Sequence, residues 1–218
     1  MKLYDNIHAN APIRVRIVLL LKNIPFERIP VGFSSERNRT NPTSYDALNP
    51  QGMVPVLADE NFVIWQSLAI AEYLDELFPT PPLLPADSRG KAHVRSLALM
   101  IACDAQPLAN FRVREFLIRE FGLPDAEMLR WVRHWLAESL TDYETAIVRH
   151  STPGRFSYGN SPTLADVYLF PHVLHAKRFG VPLDAYPAVM RIFNECMAIP
   201  AFYNARSEDA PNNARAGK

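Results

Sequence analysis

The chain of 218 residues lacks several features that would indicate a function directly. It has only two cysteines, Cys103 and Cys196, which do not make a disulfide framework, so a reducing, cytoplasmic location is expected. Lys and Arg number 23 and Asp and Glu also number 23, so the formal net charge is zero. A neutral chain gives no electrostatic reason to expect a nucleic acid or an anionic membrane as partner.

Long apolar runs and metal-binding patterns are also missing. The longest apolar run near the start, residues 17–21, is far too short to span a bilayer, and residues 1–5 lack a signal-peptide core. His172 and His175 lie three residues apart, but no third ligand has suitable spacing, so no metal is expected. With 48% hydrophobic and 21% charged residues, the composition is that of an ordinary protein with one large or two small domains.

Residues 1–80 alternate between strand and helix patterns. Four segments have strand patterns: 2–4, 26–31, 54–58 and 62–64. Two segments have helical patterns: 12–22, where Pro12 suits the first helical position, and 66–77. The order βαβ, then a hairpin, then a helix predicts an α/β domain with the thioredoxin-like arrangement.

The rest of the chain has almost exclusively helical patterns. Prolines in residues 81–87 predict a stiff linker, and 88–206 is predicted to be an all-α domain. Its first helix, 88–121, is expected to bend at Pro107. Further helices are expected from Pro124 to about residue 150, after a capping box at Thr163–Asp166, and from Pro187 and Pro200. The polar tail, 207–218, has nothing to bury and is expected to be disordered.

The most informative stretch is 48–57, followed closely by 65–70. Val54 precedes Pro55, so its backbone is held extended, with its N–H and C=O available to a peptide-like ligand. Gln66 and Ser67 open an apolar periodic run, which predicts a helix N-terminus whose N–H groups attract a carboxylate. Two features that can hold a small peptide therefore lie close together in the sequence.

Motifs in the same order extend this pattern over most of the chain. They are Lys2-Leu3-Tyr4, Arg14-Val15-Arg16-Ile17, Leu48-Asn49-Pro50, Val54-Pro55, Gln66-Ser67, Ile70, Glu72-Tyr73-Leu74, Pro82-Leu83-Leu84-Pro85, Pro162-Thr163-Leu164-Ala165-Asp166 and Arg178-Phe179. In order and spacing the chain resembles the zeta class of glutathione transferases, which includes maleylacetoacetate and maleylpyruvate isomerases. The resemblance implies a thioredoxin-like domain, an all-helical domain and glutathione as cofactor.

The resemblance also implies a glutathione site. The backbone of Val54, which precedes a cis-proline at Pro55, would pair with the cysteinyl unit. Gln66 and Ser67 would hold the γ-glutamyl carboxylate, and Gln51 would lie near the glycyl end. The alternative for Gln66 and Ser67 is a plain helix cap.

A homodimer is expected from the same resemblance. In the family the partner subunit often contributes a group near the γ-glutamyl amine, and Asp104 is the residue positioned to do so. The alternative for Asp104 is a solvated or interface carboxylate.

The loop after the first strand departs from the family pattern. The family reads Arg-Ser-Ser-Cys-Ser or a variant with a hydroxyl or thiol, whereas this chain reads His8-Ala9-Asn10-Ala11-Pro12. Glutaredoxin-type chemistry is excluded at this position because it needs a thiol there. We hypothesise that the Asn10 side chain, or the backbone N–H of Ala11, replaces the missing hydroxyl in stabilising the glutathione thiolate. The alternative is that Asn10 only shapes the turn.

Substrate anchors differ from the family as well. Isomerisation of a cis-dicarboxylate needs cationic groups, and Arg178 stands where the family places one. His8 stands where a second arginine is usual, and histidine is largely uncharged at neutral pH. Gln106 and Phe111 occupy positions that carry His and Arg in maleylpyruvate isomerases, while Asn110 is retained.

Three functions follow from these observations. The leading one is an enzyme that uses the thiolate of bound glutathione on a small electrophile. The first alternative is glutathione-dependent cis–trans isomerisation of maleylacetoacetate or maleylpyruvate. The second alternative is a glutathione-binding protein without catalysis.

Overall fold

The computed structural model describes residues 1–32, 44–150, 152 and 154–206. Contacts divide the chain into two compact units, which are described separately. The first unit comprises residues 1–82 and the chain from residue 200 onward, and the second unit comprises residues 83–199. The predicted tail, 207–218, lies outside the described residues. Within the described part of the chain, no helix is long and apolar enough to cross a membrane.

The first unit is built around a four-stranded sheet. Its elements to residue 77 are β1 (Lys2–Asp5), α1 (Asn10–Leu21), β2 (Glu27–Pro30), α2 (Ser44–Leu48), β3 (Val56–Asp59), β4 (Phe62–Trp65) and α3 (Ser67–Leu77). The strand order is β2-β1-β3-β4, with β1 parallel to β2, and β3 antiparallel to both β1 and β4. This topology confirms the predicted thioredoxin-like arrangement.

Helix α1 is buried along most of its length. Every residue from 12 to 19 is buried, and the set includes two arginines, Arg14 and Arg16. The buried carboxylate of Asp5 lies 3.6 Å from Arg16 Nη1 and accepts a 2.8 Å hydrogen bond from Arg28 Nε. Separating these groups would leave buried charges unpaired, which is costly. The cluster therefore links β1 to both α1 and β2.

The second unit is helical throughout its regular elements. These are α4 (Ser88–Leu99), a π-helical segment (Met100–Ala105), α5 (Gln106–Ala109), α6 (Phe111–Phe121), α7 (Asp125–His150), α8 (Leu164–Arg178) and α9 (Pro187–Met197). The last helix of the chain, α10 (Pro200–Asn204), contacts α1 and groups with the first unit. The sequence analysis assigned residues 88–206 to the helical domain and did not predict that α10 groups with the first unit.

The single bent helix predicted over 88–121 is wrong in detail. Pro107 has no N–H, and in a continuous helix its ring would crowd the carbonyl four residues earlier. A π-helical segment precedes it, and Pro107 lies in the first turn of the next helix, α5. The chain then leaves helical geometry at Asn110, whose φ and ψ are −77° and 162°. The Asn110 side-chain oxygen accepts a 3.1 Å hydrogen bond from the N–H of Val113 and so caps α6.

The predicted capping box at the start of α8 is confirmed. The N–H and hydroxyl of Thr163 both donate to Asp166 Oδ2, at 2.7 and 2.9 Å, and Ser157 N–H donates to Oδ1 at 2.8 Å. Burial raises the pKa of Asp166, and these hydrogen bonds oppose that shift. The box fixes the start of a helix whose side chains are mostly buried.

Candidate functional site

The segment before β3 has the form expected of a peptide-binding edge. The peptide bond between Val54 and Pro55 is cis, as the resemblance implies. Val56 is the first residue of β3 in the sheet ladder, where it pairs with Tyr4 and Trp65. Val54 therefore lies two residues outside the paired strand, half-buried, where its backbone can meet an extended ligand.

Two side chains that the sequence analysis assigned no role hold this segment in place. Asn49, which is buried, donates from Nδ2 to the carbonyl of Met53 at 2.7 Å and accepts the N–H of Gln51 at 3.0 Å. The hydroxyl of Tyr45 donates to the same Met53 carbonyl at 2.8 Å. Burial, followed by Tyr4 and Asp46, raises the pKa of Tyr45, so the hydroxyl remains a donor.

The start of α3 brings together three of the predicted glutathione ligands. Gln66 is the residue before the helix and Ser67 is its first residue. Gln66 Nε2 donates to Gln51 Oε1 at 2.8 Å, so the two exposed amides lie side by side. Gln66 has φ of 74°, a left-handed conformation that is uncommon for a residue other than glycine and typical of functional positions.

A buried guanidinium lies beneath this helix start. Arg14, which is 2% exposed, approaches Ser67 Oγ with its Nη1 at 3.4 Å, at the long end of the hydrogen-bond range. The positive charge and the N-terminus of α3 both favour an anion at this point.

The catalytic-loop candidates lie at the start of α1. The helix begins at Asn10 rather than at Pro12, so Asn10 and Ala11 are its first two residues and their N–H groups belong to its first turn. His8 is exposed, and its backbone N–H donates to Asn6 Oδ1 at 3.1 Å. The structure thus brings Asn10 and Ala11 to the positive end of a helix dipole.

Two side-chain hydrogen bonds hold the loop that leads into α1. Arg16 Nη2 donates to the carbonyl of Ile7 at 3.4 Å, and Asn6 Nδ2 donates to the carbonyl of Val31 at 2.9 Å. Burial lowers the pKa of Arg16 to about 10; the carboxylate of Asp5 opposes this shift and Arg28 adds to it. Arg16 therefore remains charged at neutral pH.

The other predicted site residues belong to the second unit. Asp104 is exposed on the π-helical segment, and Gln106 is half-buried at the start of α5. Gln106 Oε1 is buried and accepts no hydrogen bond from any residue that the structure describes. Asn110, as the cap of α6, already uses its side-chain oxygen within the protein.

One cation near this group was missed by the sequence analysis. Arg178 is the exposed last residue of α8, and Phe111 is the half-buried first residue of α6. Phe111 lines a cavity that also contains Arg114, one turn along α6, and Arg178 is close enough to lower the pKa of Arg114. The signal for Arg114 was its i, i+3 spacing from Phe111, which places both residues on one face of a helix.

The described residues contain no group of three or more His, Cys, Asp or Glu side chains that could hold a metal ion. His172 is instead buried, with its Nε2 2.6 Å from the hydroxyl of Ser139. This pair is part of the packing between α7 and α8.

Comparisons with known proteins point to one family. Family models described as the N-terminal and C-terminal domains of glutathione S-transferase match residues 12–77 and 136–200. A maleylpyruvate isomerase from Ralstonia sp is 39% identical over 214 residues, which cover 98% of this chain and 100% of the relative.

Solved structures give the same result. A holo maleylpyruvate isomerase, described as a bacterial zeta-class glutathione S-transferase, has a TM-score of 0.90 at 38% identity and covers 96% of this chain and 100% of its own. A maleylacetoacetate isomerase from Methylobacterium extorquens AM1, with bound malonate and glutathione, has a TM-score of 0.90 at 38% identity. That match covers 97% of this chain and 100% of the other.

Proposed function

Because the chain belongs to the zeta class of the glutathione transferase family, an enzyme family whose cofactor is glutathione, we propose that it catalyses glutathione-dependent cis–trans isomerisation of a maleyl-type keto acid such as maleylpyruvate or maleylacetoacetate. The observation that carries this proposal is the similarity to isomerases over the whole chain, at up to 39% identity. It supports the isomerase alternative from the sequence analysis.

The residues of the first unit fit glutathione. The extended backbone at Val54, next to the cis-proline Pro55, suits the cysteinyl unit. The paired amides of Gln66 and Gln51 and the N-terminus of α3 at Ser67 suit the two charged ends of a small peptide. These five residues are proposed as the glutathione ligands.

The start of α1 is proposed to stabilise negative charge on sulfur. When bound, glutathione supplies a thiolate that can add reversibly to an electrophilic carbon. A helix N-terminus favours an anion by about 0.3–1 kcal/mol, and by up to about 2 kcal/mol in a sheltered position. One hydrogen bond from the Asn10 side chain or the Ala11 N–H contributes about another 1 kcal/mol. Together these approach the roughly 2.7 kcal/mol that lowers a thiol pKa by two units.

Arg178 is proposed as a carboxylate anchor of the substrate, since its guanidinium can bind a carboxylate through two parallel hydrogen bonds. His8 is the proposed second anchor.

The homodimer is also part of the proposal. Four large apolar side chains between residues 62 and 78 are exposed: Phe62, Trp65, Leu77 and Phe78. These side chains are proposed to contribute to the contact between the subunits. Asp104, which is exposed, is proposed to reach the γ-glutamyl amine bound by the partner subunit. Light scattering of the wild type tests the homodimer, and glutathione binding by Asp104→Asn tests the role of Asp104.

A second candidate function is conjugation of glutathione to a small neutral electrophile. It is favoured by the uncharged residues Gln106 and Phe111, which by the resemblance stand where maleylpyruvate isomerases carry His and Arg.

Turnover separates the candidates. The purified enzyme with glutathione is assayed on maleylpyruvate by ultraviolet absorbance and on 1-chloro-2,4-dinitrobenzene for conjugation. Rapid, glutathione-dependent loss of the cis isomer supports isomerisation. Conjugation without isomerisation supports the second candidate, and glutathione binding without either activity contradicts both and leaves a binding protein.

A further inference from the structure

The carbonyl of Met53 accepts hydrogen bonds from two side chains of the first unit. The hydroxyl of Tyr45 donates to it at 2.8 Å, and Nδ2 of Asn49 donates to it at 2.7 Å. A carbonyl oxygen has two lone pairs, so these two donors use its full capacity. The peptide group between Met53 and Val54 is therefore held at its oxygen by two contacts.

The same peptide group carries the N–H of Val54 on its opposite side. The bond between Met53 and Val54 is trans, since the cis bonds of the described residues lie before Pro55 and Pro81. A trans peptide group is planar, and its C=O and N–H bonds point in opposite directions. Two donors that fix the carbonyl thus also fix the direction of the Val54 N–H, which points away from them.

The Val54 N–H has no acceptor within the part of the chain that the structure describes. Val54 is half-buried and lies outside the sheet ladder, which begins at Val56. Backbone N–H groups are strong donors that need an acceptor, so this one is available to a ligand. The carbonyl of an extended peptide is the acceptor that fits such an edge.

Tyr45 is itself held in place. It is a half-buried residue of α2, and its ring centroid lies 5.7 Å from that of Tyr4 on β1. Tyr4 pairs with Val56 in the sheet, so the ring contact connects Tyr45 to the strand that follows the cis-proline. Because burial raises the pKa of Tyr45, the hydroxyl keeps its proton at neutral pH and can donate it.

The two donors also act on the strength of the N–H. A hydrogen bond accepted by a carbonyl polarises the peptide group and strengthens the hydrogen bond that its N–H donates, by roughly 10–30% per bond. Loss of the Tyr45 hydroxyl would therefore leave the Val54 N–H less firmly directed and a weaker donor.

We propose that Tyr45 is a positioning residue of the glutathione site, whose hydroxyl, together with Asn49, directs and polarises the Val54 N–H toward the cysteinyl carbonyl of glutathione. The inference rests on the proposed function, because it requires glutathione to lie along Val54. Tyr45 acts through the backbone and does not itself touch the ligand.

Calorimetric titration of Tyr45→Phe tests the proposal, since this variant keeps the ring and loses only the hydroxyl. The ligands are glutathione and an analogue in which an (E)-alkene replaces the amide between cysteine and glycine, so that the cysteinyl carbonyl is absent. We expect Tyr45→Phe to bind glutathione about fivefold more weakly than the wild type does, and to bind the analogue equally. The matched control, Tyr73→Phe, removes a 2.8 Å hydroxyl hydrogen bond to Asp59 and should affect neither ligand.

Nuclear magnetic resonance observes the peptide group itself. Met53-Val54 is the only Met-Val pair in the sequence, so protein with carbonyl carbon-13 methionine and nitrogen-15 valine gives one HNCO signal, from this peptide group. We expect glutathione to move the Val54 amide proton of the wild type downfield. We expect Tyr45→Phe to move the Met53 carbonyl carbon upfield, because the carbonyl loses one of its two hydrogen bonds.

The outcomes separate this inference from the proposed function. Unchanged glutathione binding in Tyr45→Phe, equal weakening of both ligands, or an unmoved Met53 carbonyl signal overturns the inference, even if the wild type isomerises maleylpyruvate. A Tyr45→Phe variant that circular dichroism shows to be unfolded also overturns it, because the hydroxyl then serves the fold. Selective weakening of glutathione binding supports it, even if the enzyme proves inactive as an isomerase. A wild-type Val54 signal that glutathione leaves unmoved overturns both the inference and the proposed glutathione site.

Discussion

Arg14 Nη1 lies 3.4 Å from Ser67 Oγ, and this contact joins a buried cation on α1 to the first residue of α3. A guanidinium can only donate hydrogen bonds, so the serine oxygen is the acceptor in this contact. The serine hydroxyl hydrogen is therefore directed away from Arg14. A carboxylate at the start of α3 would then meet a hydroxyl donor, backbone N–H groups and a nearby positive charge.

Replacing Arg14 with Met is expected to weaken glutathione binding by about tenfold, or about 1.4 kcal/mol, because Ser67 loses its orientation and the site loses a charge. Arg14→Lys should recover part of the affinity. The informative control ligand is 4-aminobutyryl-Cys-Gly, which lacks the γ-glutamyl carboxylate. Its dissociation constant should change little, whereas equal weakening for both ligands would show that Arg14 acts only on the fold.

Replacing Asn10 with Ala is expected to raise the pKa of enzyme-bound glutathione thiol by about 0.5 to 1 unit, the equivalent of one lost hydrogen bond. The thiolate absorbance near 240 nm, followed against pH, measures this value in the wild type and the variant. An unchanged pKa would remove the Asn10 side chain from the account and leave the backbone N–H of Ala11 as the donor.

Replacing Lys22 with Met is expected to destabilise the protein by about 3 kcal/mol, because it removes a buried cation that pairs with the largely buried carboxylate of Asp75. Lys22 Nζ lies 2.7 Å from Asp75 and donates to the carbonyls of Phe78 and Pro81, so it holds the end of α3. Urea unfolding gives the difference. The matched control is Lys2→Met, since Lys2 pairs with Glu27 at the surface and should contribute less than about 1 kcal/mol.

Stability is expected to fall as the pH drops below about 6.5, and His93 should account for part of the fall. Burial lowers the pKa of His93, and the nearby His150 lowers it further. The unfolded chain therefore binds a proton at His93 at a higher pH than the folded chain does, so acid favours unfolding through this residue. His93→Gln should reduce the slope of unfolding free energy against pH in urea titrations. An equal reduction in the exposed control His134→Gln would contradict the assignment.

Much of the fold was accessible from the sequence because prolines and hydrophobic periodicity mark the same boundaries. The hairpin around residue 60, the helix that starts at Ser67 and the capping box at Thr163 all depend on local signals. The interruption of the predicted long helix was not recognised, although Asn110 is a good helix cap, because the periodicity continues across it. The grouping of α10 with the first unit depends on distant contacts that no local pattern reveals.

The residues of the candidate site also differ in whether a local sequence signal marks them. Val54-Pro55 and Gln66-Ser67 are linear motifs, so the sequence pointed to them directly. Arg14 was quoted only as part of a motif, because its contact with Ser67 spans 53 positions of sequence. Arg114 was not considered, because its contact with Phe179 and its closeness to Arg178 are visible only in three dimensions.

The central claim is that the start of α3 and the cis-proline segment hold glutathione. Calorimetric titration of the wild type with glutathione, repeated with the variant Ser67→Ala, tests it most directly. The account predicts saturable one-to-one binding per subunit that the Ser67→Ala substitution weakens by about tenfold, the loss expected of one hydrogen bond to a charged group. Binding that is absent at millimolar glutathione, or equally tight in the variant, would contradict it.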